Sequence, residues 1–274
     1  MTESNFQNPY RDESGGARIR RSVVAFIDIL GYQEKVKKAV REGEEELLLK
    51  NLRSAFDETY QHIKDEAKDN RPDWLVKGFT DNIIIGYPVR HDAEVEMGYM
   101  ISNLCTFQLM MTLRGFFIRG GIAIGNLYMD DEIVFGEGLI EAFEIEQNKA
   151  RDPRIILSCS AIEYLKHHLK YYSSIEQAPQ YYHLLKDRDG QFFINYLYPI
   201  IEFEYDNFIG EEEILRHKQI VESRLMEHIT EPPIWSKYFW VANYHNWFCD
   251  HSRHFEEKHK IDLSNIPSGP DRIQ

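Results

Sequence analysis

The sequence is poor in cysteine and in net positive charge, and each shortage excludes a class of protein. Its 274 residues include only three cysteines. Because these are odd in number and far apart, neither a disulfide framework nor a zinc knuckle is expected. The chain has 45 acidic against 32 basic side chains and a formal net charge of −13. Binding of a nucleic-acid backbone needs clustered Lys and Arg, so no nucleic-acid partner is expected.

Long apolar runs are also absent from the sequence. The least charged stretch, residues 97–113, is interrupted by polar side chains, whereas a membrane-spanning helix needs roughly 20 consecutive apolar residues. No membrane partner is therefore expected. The first 16 residues are polar and mixed in charge, which is typical of a flexible leader and unlike a signal peptide. These features favour a cytoplasmic protein, and a hydrophobic content of 43% is enough for a sizeable core.

Hydrophobic periodicity predicts an α/β fold. A continuous apolar run predicts a buried strand, and stripes of apolar residues at helical spacing predict the helices. In order, we expect a strand at 22–31, a helix at 32–68, a hairpin at 74–87, a helix at 91–112, a strand at 116–125, an acidic helix at 139–148 and a strand at 153–157. This is a βαββαβ order, that of a ferredoxin-like or palm-type sandwich with additional elements.

Three regions are predicted along the chain. Residues 1–20 form a flexible leader, residues 21–200 form the main domain, and residues 201–274 form a C-terminal helical extension and tail. The main domain ends in a second hairpin near residues 181–196, with its turn at Asp187-Arg188-Asp189-Gly190. The extension contains helices at 211–229 and 235–250.

Asp28 and Asp81 are the two most informative side chains. Asp28 lies inside the first apolar strand near its end, and Asp81 lies in the turn of the first hairpin, so the predicted topology brings both to one edge of the sheet. Two carboxylates at such an edge repel each other unless a divalent cation lies between them. The alternative is that Asp28 caps the following helix and that Asp81 with Asn82 only forms a turn.

Three segments resemble the class III nucleotide cyclases. Residues 26–32 resemble the F-x-D-I-x-G-F opening of that family, and residues 76–81 resemble its K-T-I-G-D hairpin. Residues 118–125 match its M-R-x-G-I-x-x-G strand. The order and approximate spacing also agree, over about half of the chain. Three motifs in register are more specific than one.

The resemblance implies a two-metal site that binds a nucleoside triphosphate. Asp28, the backbone carbonyl of Ile29 and Asp81 would hold two Mn²⁺ or Mg²⁺ ions. Arg119 would contact the triphosphate with two nitrogens, and its alternative role is an ordinary ion pair. Phe26 would support the sugar or base, and its alternative role is in the core.

The sequence departs from the family at the transition-state residues. Ile140 and Glu144 occupy the positions of an Asn and an Arg. Lys149, Arg151 and Arg154 are the candidate replacements, although they also fit a solvated basic turn at the end of a helix. Lys77 corresponds to a base-contacting Lys of adenine-selecting cyclases, and would bond a pyrimidine carbonyl here or face solvent.

These departures are similar to those of the bacterial pyrimidine cyclases of Pycsar anti-phage defence. The likeness includes the short loop at residues 126–132, the run at 135–146, Pro153-Arg154-Ile155 and the aromatic C-terminal segment. It implies a uridylate cyclase that makes cyclic UMP from UTP, with CTP as the second choice of substrate and ATP as the third. It also implies a homodimer with composite active sites, and a separate effector protein activated by the product.

A rival hypothesis is a catalytically inactive cyclase-like module that binds a nucleotide or a partner protein. The Asp pair opposes this hypothesis, whereas the replaced Asn and Arg favour it. The sequence leaves open the trigger, the responding effector and the residues that replace the Asn and Arg.

Overall fold

The computed structural model describes residues 8–66, 74–202 and 210–264. The chain divides into two compact units, Met1–Pro199 and Ile200–Gln274. The strands of the first unit are β1 (Arg20–Ile29), β2 (Leu75–Phe79), β3 (Asn82–Pro88), β4 (Ile118–Met129), β5 (Val134–Phe135), β6 (Ile155–Leu157), β7 (Leu184–Lys186) and β8 (Phe192–Ile194). The helices are α1 (Tyr32–Glu42), α2 (Glu45–Glu66), α3 (Glu94–Leu113), α4 (Glu137–Asn148), α5 (Cys159–His168), α6 (Pro199–Glu202), α7 (Glu211–Glu227) and α8 (Pro232–His251).

One mixed sheet organises the first unit, in the order β2-β3-β1-β4-β6-β8-β7, with β5 paired to β4. Strand β1 lies in the middle and is antiparallel to both β3 and β4. Strand β6 runs parallel to β4, and the β7–β8 hairpin closes the far edge. The predicted α/β class and βαββαβ order are confirmed, because β1 to β4 with their helices make that unit.

The two faces of β1 enter different hydrophobic clusters. Val23, Ala25, Ile27 and Ile29 pack with residues of α3 and α5 on one face. Val24 and Phe26 pack with Ala142 of α4 on the other. Since successive side chains of a strand point to opposite faces, Asp28 belongs to the α4 face. The same strand therefore supplies the core and delivers a carboxylate beneath α4.

Helix α4 lies unusually close to β4 because glycines line the contact. A Cβ on Gly125 would be 2.8 Å from the Cα of Gly138, and a Cβ on Gly121 would be 2.9 Å from the Cβ of Ile145. Larger side chains at these positions would separate the helix from the sheet. The close packing fixes the height of the α4 side chains above β4.

The structure corrects the predicted helices in two places. The helix expected over residues 32–68 is two helices, because Gly43 adopts a left-handed conformation (φ 70°) that ends α1. Helix α5 was not predicted. It begins at an N-cap, Ser158, whose hydroxyl accepts a hydrogen bond from the amide of Ala161. The capping serine was the available sequence signal. The tail beyond Ser264 lies outside the described residues.

The leader is also packed more closely than expected. Tyr10 is fully buried in the cluster on the α4 face. Its hydroxyl lies 2.9 Å from that of Ser22, and burial raises the pKa of Tyr10. Asn8 donates a 3.0 Å hydrogen bond to the carbonyl of Met129. A flexible leader therefore does not describe residues 8–16, and residues 1–7 lie outside the described part.

The second unit is built from α7 and α8, which pack against each other. Their buried faces include Ile214, Val221, Val241 and Phe248. Pro232 and Pro233 open α8, a position where the missing proline N–H costs no helical hydrogen bond. Within the described ranges, no helix has both the length and the apolar character needed to cross a membrane.

Candidate nucleotide and metal site

Asp28 and Arg119 are paired across the sheet, one on β1 and the other on β4. Arg119 Nε donates a 2.9 Å hydrogen bond to Asp28 Oδ2. Their side chains are only 21% and 15% exposed, so the pair lies at a sheltered end of the two strands. Arg119 also donates a long hydrogen bond of 3.4 Å to the carbonyl of Ala150. The guanidinium is thus held from several directions.

Asp81 lies at the tip of the β2–β3 hairpin, next to the end of β1. Asp28 is paired with Asn82, and the amide of Ile29 donates a 3.0 Å hydrogen bond to the carbonyl of Asp81. Asp81 Oδ1 accepts a 3.0 Å hydrogen bond from Asn82 Nδ2. This backbone connection brings the two aspartates to the same end of the sheet.

The residue before Asp81 has a strained backbone. Thr80 has φ 54°, in the left-handed region that β-branched residues rarely adopt. Its hydroxyl lies 2.7 Å from the carbonyl of Phe79 and 2.8 Å from Asp81 Oδ1. The single hydroxyl proton serves only one of these acceptors at a time. Such strain costs on the order of 1–3 kcal/mol and is commonly found at functional sites.

A third acid, Glu146 of α4, joins the pair, and sequence reasoning missed it. Its side chain is completely buried, and Oε1 lies 2.7 Å from Arg119 Nη2. Burial raises the pKa of the Glu146 carboxyl above its ordinary value, and Arg119 opposes that shift. The charges of Asp28 and Asp81 raise the same pKa further, so all three acids share one electrostatic environment.

The signal for Glu146 was present in the helical spacing. Gly138, Ala142, Ile145 and Glu146 are all buried, at the i, i+4, i+7 and i+8 spacing of one helix face. An acid on such a stripe faces the sheet. It requires a cation beneath it, and Arg119 is that cation.

Phe26 and Lys77 lie on the same face of the sheet as Asp28. Phe26 is 6% exposed and its ring makes an edge contact with Phe143, with centroids 5.3 Å apart. Lys77 is paired with Ile84, which in turn is paired with Phe26. Lys77 Nζ donates a 3.2 Å hydrogen bond to the carbonyl of Asp130. Phe26 thus has a core role here, while Lys77 reaches the loop after β4.

Two of the three basic candidates after α4, Lys149 and Arg154, have different surroundings. Lys149 is exposed at the C-terminus of the helix, where the helix dipole favours a cation. Arg154 is 3% exposed and forms ion pairs with Asp187 and Asp189 in the β7–β8 turn. Arg154 therefore stabilises the hairpin in this structure, and its contact with a substrate stays a prediction.

Ile140 and Glu144, which the sequence resemblance aligned with an Asn and an Arg, both face solvent. Ile140 is 59% exposed, and Glu144 is exposed one turn later on α4. Neither side chain supplies a hydrogen-bond donor to a phosphate. A charge that develops during phosphoryl transfer would need its stabilising cations from elsewhere.

The carboxylate oxygens of Asp28 and Asp81 at this end of the sheet fit a hard divalent cation. Among the described residues, Asp28 Oδ1 and Asp81 Oδ2 receive no hydrogen bond or ion pair, so each carboxylate has one oxygen available. The described ranges contain no group of three or more acidic, His or Cys side chains placed as ligands. Magnesium-type ions commonly use one or two carboxylates and complete their shell with water and substrate phosphates. Two aspartates are sufficient for that mode.

Comparison with known proteins gives likenesses to solved structures but none to a sequence family. No family model and no curated protein matches the chain. A solved structure described as a class III adenylyl cyclase-like ATP-binding protein from Pseudomonas aeruginosa superposes with a TM-score of 0.46 at 10% identity. The match covers 65% of this chain and 44% of that protein's length. A likeness of this size assigns neither a family nor an activity.

Proposed function

We propose that this protein is a nucleotidyl cyclase of the class III type that converts UTP into 3′,5′-cyclic UMP and diphosphate. The observation that carries the proposal is the convergence of three sequence motifs at one end of the sheet, where β1 stops. The motifs begin at residues 26, 76 and 118, and they occupy β1, the β2–β3 hairpin and β4. Each contributes one charged side chain there, namely Asp28, Asp81 and Arg119.

The proposed reaction joins the ribose 3′-oxygen to the α-phosphorus and breaks the bond from that phosphorus to the diphosphate oxygen. The 3′-hydroxyl proton leaves to solvent, and diphosphate departs. Asp28, Asp81 and the carbonyl of Ile29 would hold two Mn²⁺ or Mg²⁺ ions. When bound, these ions lower the pKa of the 3′-hydroxyl and offset the charge of the triphosphate.

The remaining residues bind and orient the substrate. Arg119 would meet the triphosphate from a rigid strand, which limits the movement of the reacting groups. Lys77 would contact the pyrimidine, and Phe26 would support the ring from the core. Lys149 would offset charge on the phosphates, and Arg154 would do the same only if it left its two aspartates.

The same proposal includes a homodimer with composite sites. Four large apolar side chains are exposed at the hairpin tip, on β5 and on α4, which is the pattern of an interaction surface. They are Phe79 (53%), Phe135 (62%), Ile140 (59%) and Phe143 (43%). A second copy of the chain is the proposed occupant. It would bring the base-contacting residues of one copy to the aspartates of the other, in two equivalent sites.

The biological role proposed for the product is that of a second messenger in anti-phage defence. Cyclic UMP would be made in the cytoplasm and would activate a separate effector protein. Cytidylate cyclase activity, with CTP as substrate, is the alternative within the same class. The support for a pyrimidine is the sequence likeness alone.

A catalytically inactive nucleotide-binding module is the second candidate. Two observations favour it: Arg119 is engaged with Asp28, and the α4 positions aligned with the family's Asn and Arg carry Ile140 and Glu144, neither of which is a hydrogen-bond donor. In that case the protein would bind a nucleoside triphosphate and release it unchanged.

One experiment separates these candidates. The purified full-length protein is incubated with Mn²⁺ and each of four α-labelled nucleoside triphosphates, and cyclic products are resolved by chromatography. We expect labelled cyclic UMP from UTP. Asp28→Asn and Asp81→Asn should each lower its rate roughly 100- to 1,000-fold, the loss typical for one electrostatic stabiliser of a transition state. Asp131→Asn, which changes an exposed acid in the neighbouring loop, is the matched control.

The possible outcomes have distinct meanings. Product from CTP alone would replace uridylate cyclase by cytidylate cyclase. Nucleotide binding without any cyclic product would support the inactive module. Full activity in both aspartate variants would refute the metal-binding assignment.

A further inference from the structure

The guanidinium of Arg119 lies between two carboxylates that differ in burial. Asp28 lies at the end of a strand with its side chain 15% exposed, whereas the side chain of Glu146 is completely buried. Nε of Arg119 bonds Asp28, and Nη2 meets Glu146. One planar side chain thus joins β1 to α4 through two of its nitrogens.

Glu146 depends on Arg119 more than Asp28 does. Glu146 Oε1 receives no hydrogen bond from the described residues, so its contact with Nη2 is an ion pair of poor alignment. The other oxygen accepts a 2.6 Å hydrogen bond from Gln147. A buried carboxylate cannot exchange its partner for water, and losing that partner would leave an uncompensated charge. Asp28 is partly exposed and has an oxygen available for a cation.

The position of Glu146 is also fixed by the backbone. Helix α4 is pressed onto β4 at Gly121, where an added Cβ would come within 2.9 Å of the Cβ of Ile145. Glu146 follows Ile145 directly, so its carboxylate is held at a set height above the strand that carries Arg119. The helix therefore cannot follow Arg119 if the guanidinium moves.

We propose that Glu146 is a positioning residue that holds Arg119 in place. Asp28 can then bind a divalent cation while the guanidinium stays in the site. This inference rests on the proposed function. Without Glu146 the charge of Arg119 is balanced mainly by Asp28, and Arg119 then competes with the cation for that carboxylate. With Glu146 in place, the chain retains a cation-binding carboxylate and a phosphate-binding guanidinium side by side.

The test measures Mn²⁺ binding without any nucleotide, from the electron paramagnetic resonance signal of free Mn²⁺. Glu146→Asp keeps the negative charge but shortens the side chain, so it separates contact with Arg119 from simple charge. We expect it to weaken Mn²⁺ binding roughly tenfold, within the range for coupled contacting residues. Glu146→Gln, which keeps the size and removes the charge, should weaken binding at least as much. Glu144→Gln removes an exposed charge from the same helix and should change the affinity less than about twofold.

A double substitution tests whether Glu146 affects Mn²⁺ binding through Arg119. In the Arg119→Met background, Glu146→Asp should leave the Mn²⁺ affinity within about twofold of Arg119→Met alone, because no guanidinium remains to compete. Folding of every variant is checked by circular dichroism, and Glu146→Gln serves as the test variant if the shortened side chain prevents folding.

Failure of the proposed function and failure of the role assigned to Glu146 give different results. If wild-type protein binds Mn²⁺ no better than Asp28→Asn does, there is no Asp28-dependent metal site, and the proposed function falls together with this inference. If wild type binds Mn²⁺ through Asp28 but both Glu146 variants bind it equally well, the metal assignment stands and the role of Glu146 is overturned. An equal loss in the presence and absence of Arg119 would also overturn it.

Discussion

Asp28 and Arg119 occupy opposed positions near the end of β1 and the start of β4, and their side chains are joined by a 2.9 Å hydrogen bond. The pairing follows from the backbone register, since residues directly opposite on antiparallel strands share one face. Because Glu146 meets a second nitrogen of the same guanidinium, three charged groups from three elements are connected. Each then constrains the position of the others.

Arg119→Lys tests whether the shape of the guanidinium matters beyond its charge. An ammonium is a compact charge that cannot reproduce the planar fork. We expect the KM for the nucleoside triphosphate to rise roughly 10- to 100-fold, since a hydrogen bond to a charged group contributes about 1.5–3 kcal/mol. Steady-state kinetics with Mn²⁺ in excess would measure the change. Arg53→Lys on the exposed face of α2 is the control, and unchanged KM and kcat would assign Arg119 a purely structural role.

Complementation tests the proposed composite site. Asp81→Asn and Lys77→Met should each be inactive alone, because they damage every site of their own homodimers. After subunit exchange, half of the dimers are mixed and each has one intact site, so activity should recover to about a quarter of the wild-type value. A mixture of Asp81→Asn with Asp28→Asn is the control and should stay inactive. No recovery in the first mixture would contradict a site shared between copies.

The main sheet could be predicted from sequence because its signals are local. The apolar run that contains Asp28 predicts the first strand, and the turn at Asp81 predicts the hairpin, without reference to the rest of the chain. The break in the first long helix also had a sequence signal, namely Gly43. This residue adopts a left-handed conformation that favours glycine. Helix α5 was missed although Ser158 marks its start.

The contacts of individual side chains could not be predicted in the same way. Arg154 has the appearance of a substrate-binding cation, yet it meets Asp187 and Asp189, which are more than 30 residues away. Tyr10 belongs to a polar segment, yet it fills a space against the sheet. Such positions depend on how distant elements pack, and a hydrophobic pattern contains no information about that packing.

The ion pairs of Arg154 predict an asymmetry in stability. The Arg154 side chain is 3% exposed, whereas those of Asp187 and Asp189 are 21% and 46% exposed. Asp187→Asn combined with Asp189→Asn removes both carboxylates that form ion pairs with the buried Arg154 guanidinium, which should cost about 3–5 kcal/mol of unfolding free energy. Arg154→Met should cost less, because the two carboxylates can reach water. Denaturant unfolding would compare them, and a larger loss in Arg154→Met would contradict this account.

Gly121→Ala tests the close packing of α4 on β4. The added methyl group meets the carbonyl oxygen of Ala142 and lies 2.9 Å from the Cβ of Ile145, so helix and strand must separate. We expect a loss of about 1–3 kcal/mol in unfolding free energy. Gly78→Ala on β2 is the matched control, since its nearest contact is 3.9 Å away. Similar unfolding midpoints for the two variants would show that α4 has room to move.

The C-terminal unit contains a buried pair of histidines that restricts its stability at low pH. The Nδ1 atoms of His217 and His245 lie 2.9 Å apart, and His245 Nε2 lies 2.8 Å from the carbonyl of His259. A carbonyl only accepts, so Nε2 of His245 carries its proton and Nδ1 accepts from His217. Protonation of His245 would place two N–H groups against each other. Burial lowers the pKa of His217 well below 6.5 and that of His245 to about 4.

Both folded-state pKa values are lower than that of an unfolded histidine, so only the unfolded chain takes up these protons below about pH 6.5. The unfolding free energy should therefore fall as pH decreases from 6.5 to 5, by about 1.4 kcal/mol per pH unit for each histidine. Urea unfolding followed by tryptophan fluorescence would report it, since three of the four tryptophans lie in this unit. His217→Gln should reduce the slope by about one proton, while His91→Gln, at an exposed position, should leave it unchanged. An equal slope in His217→Gln and wild type would show that the pair is not the source of the acid sensitivity.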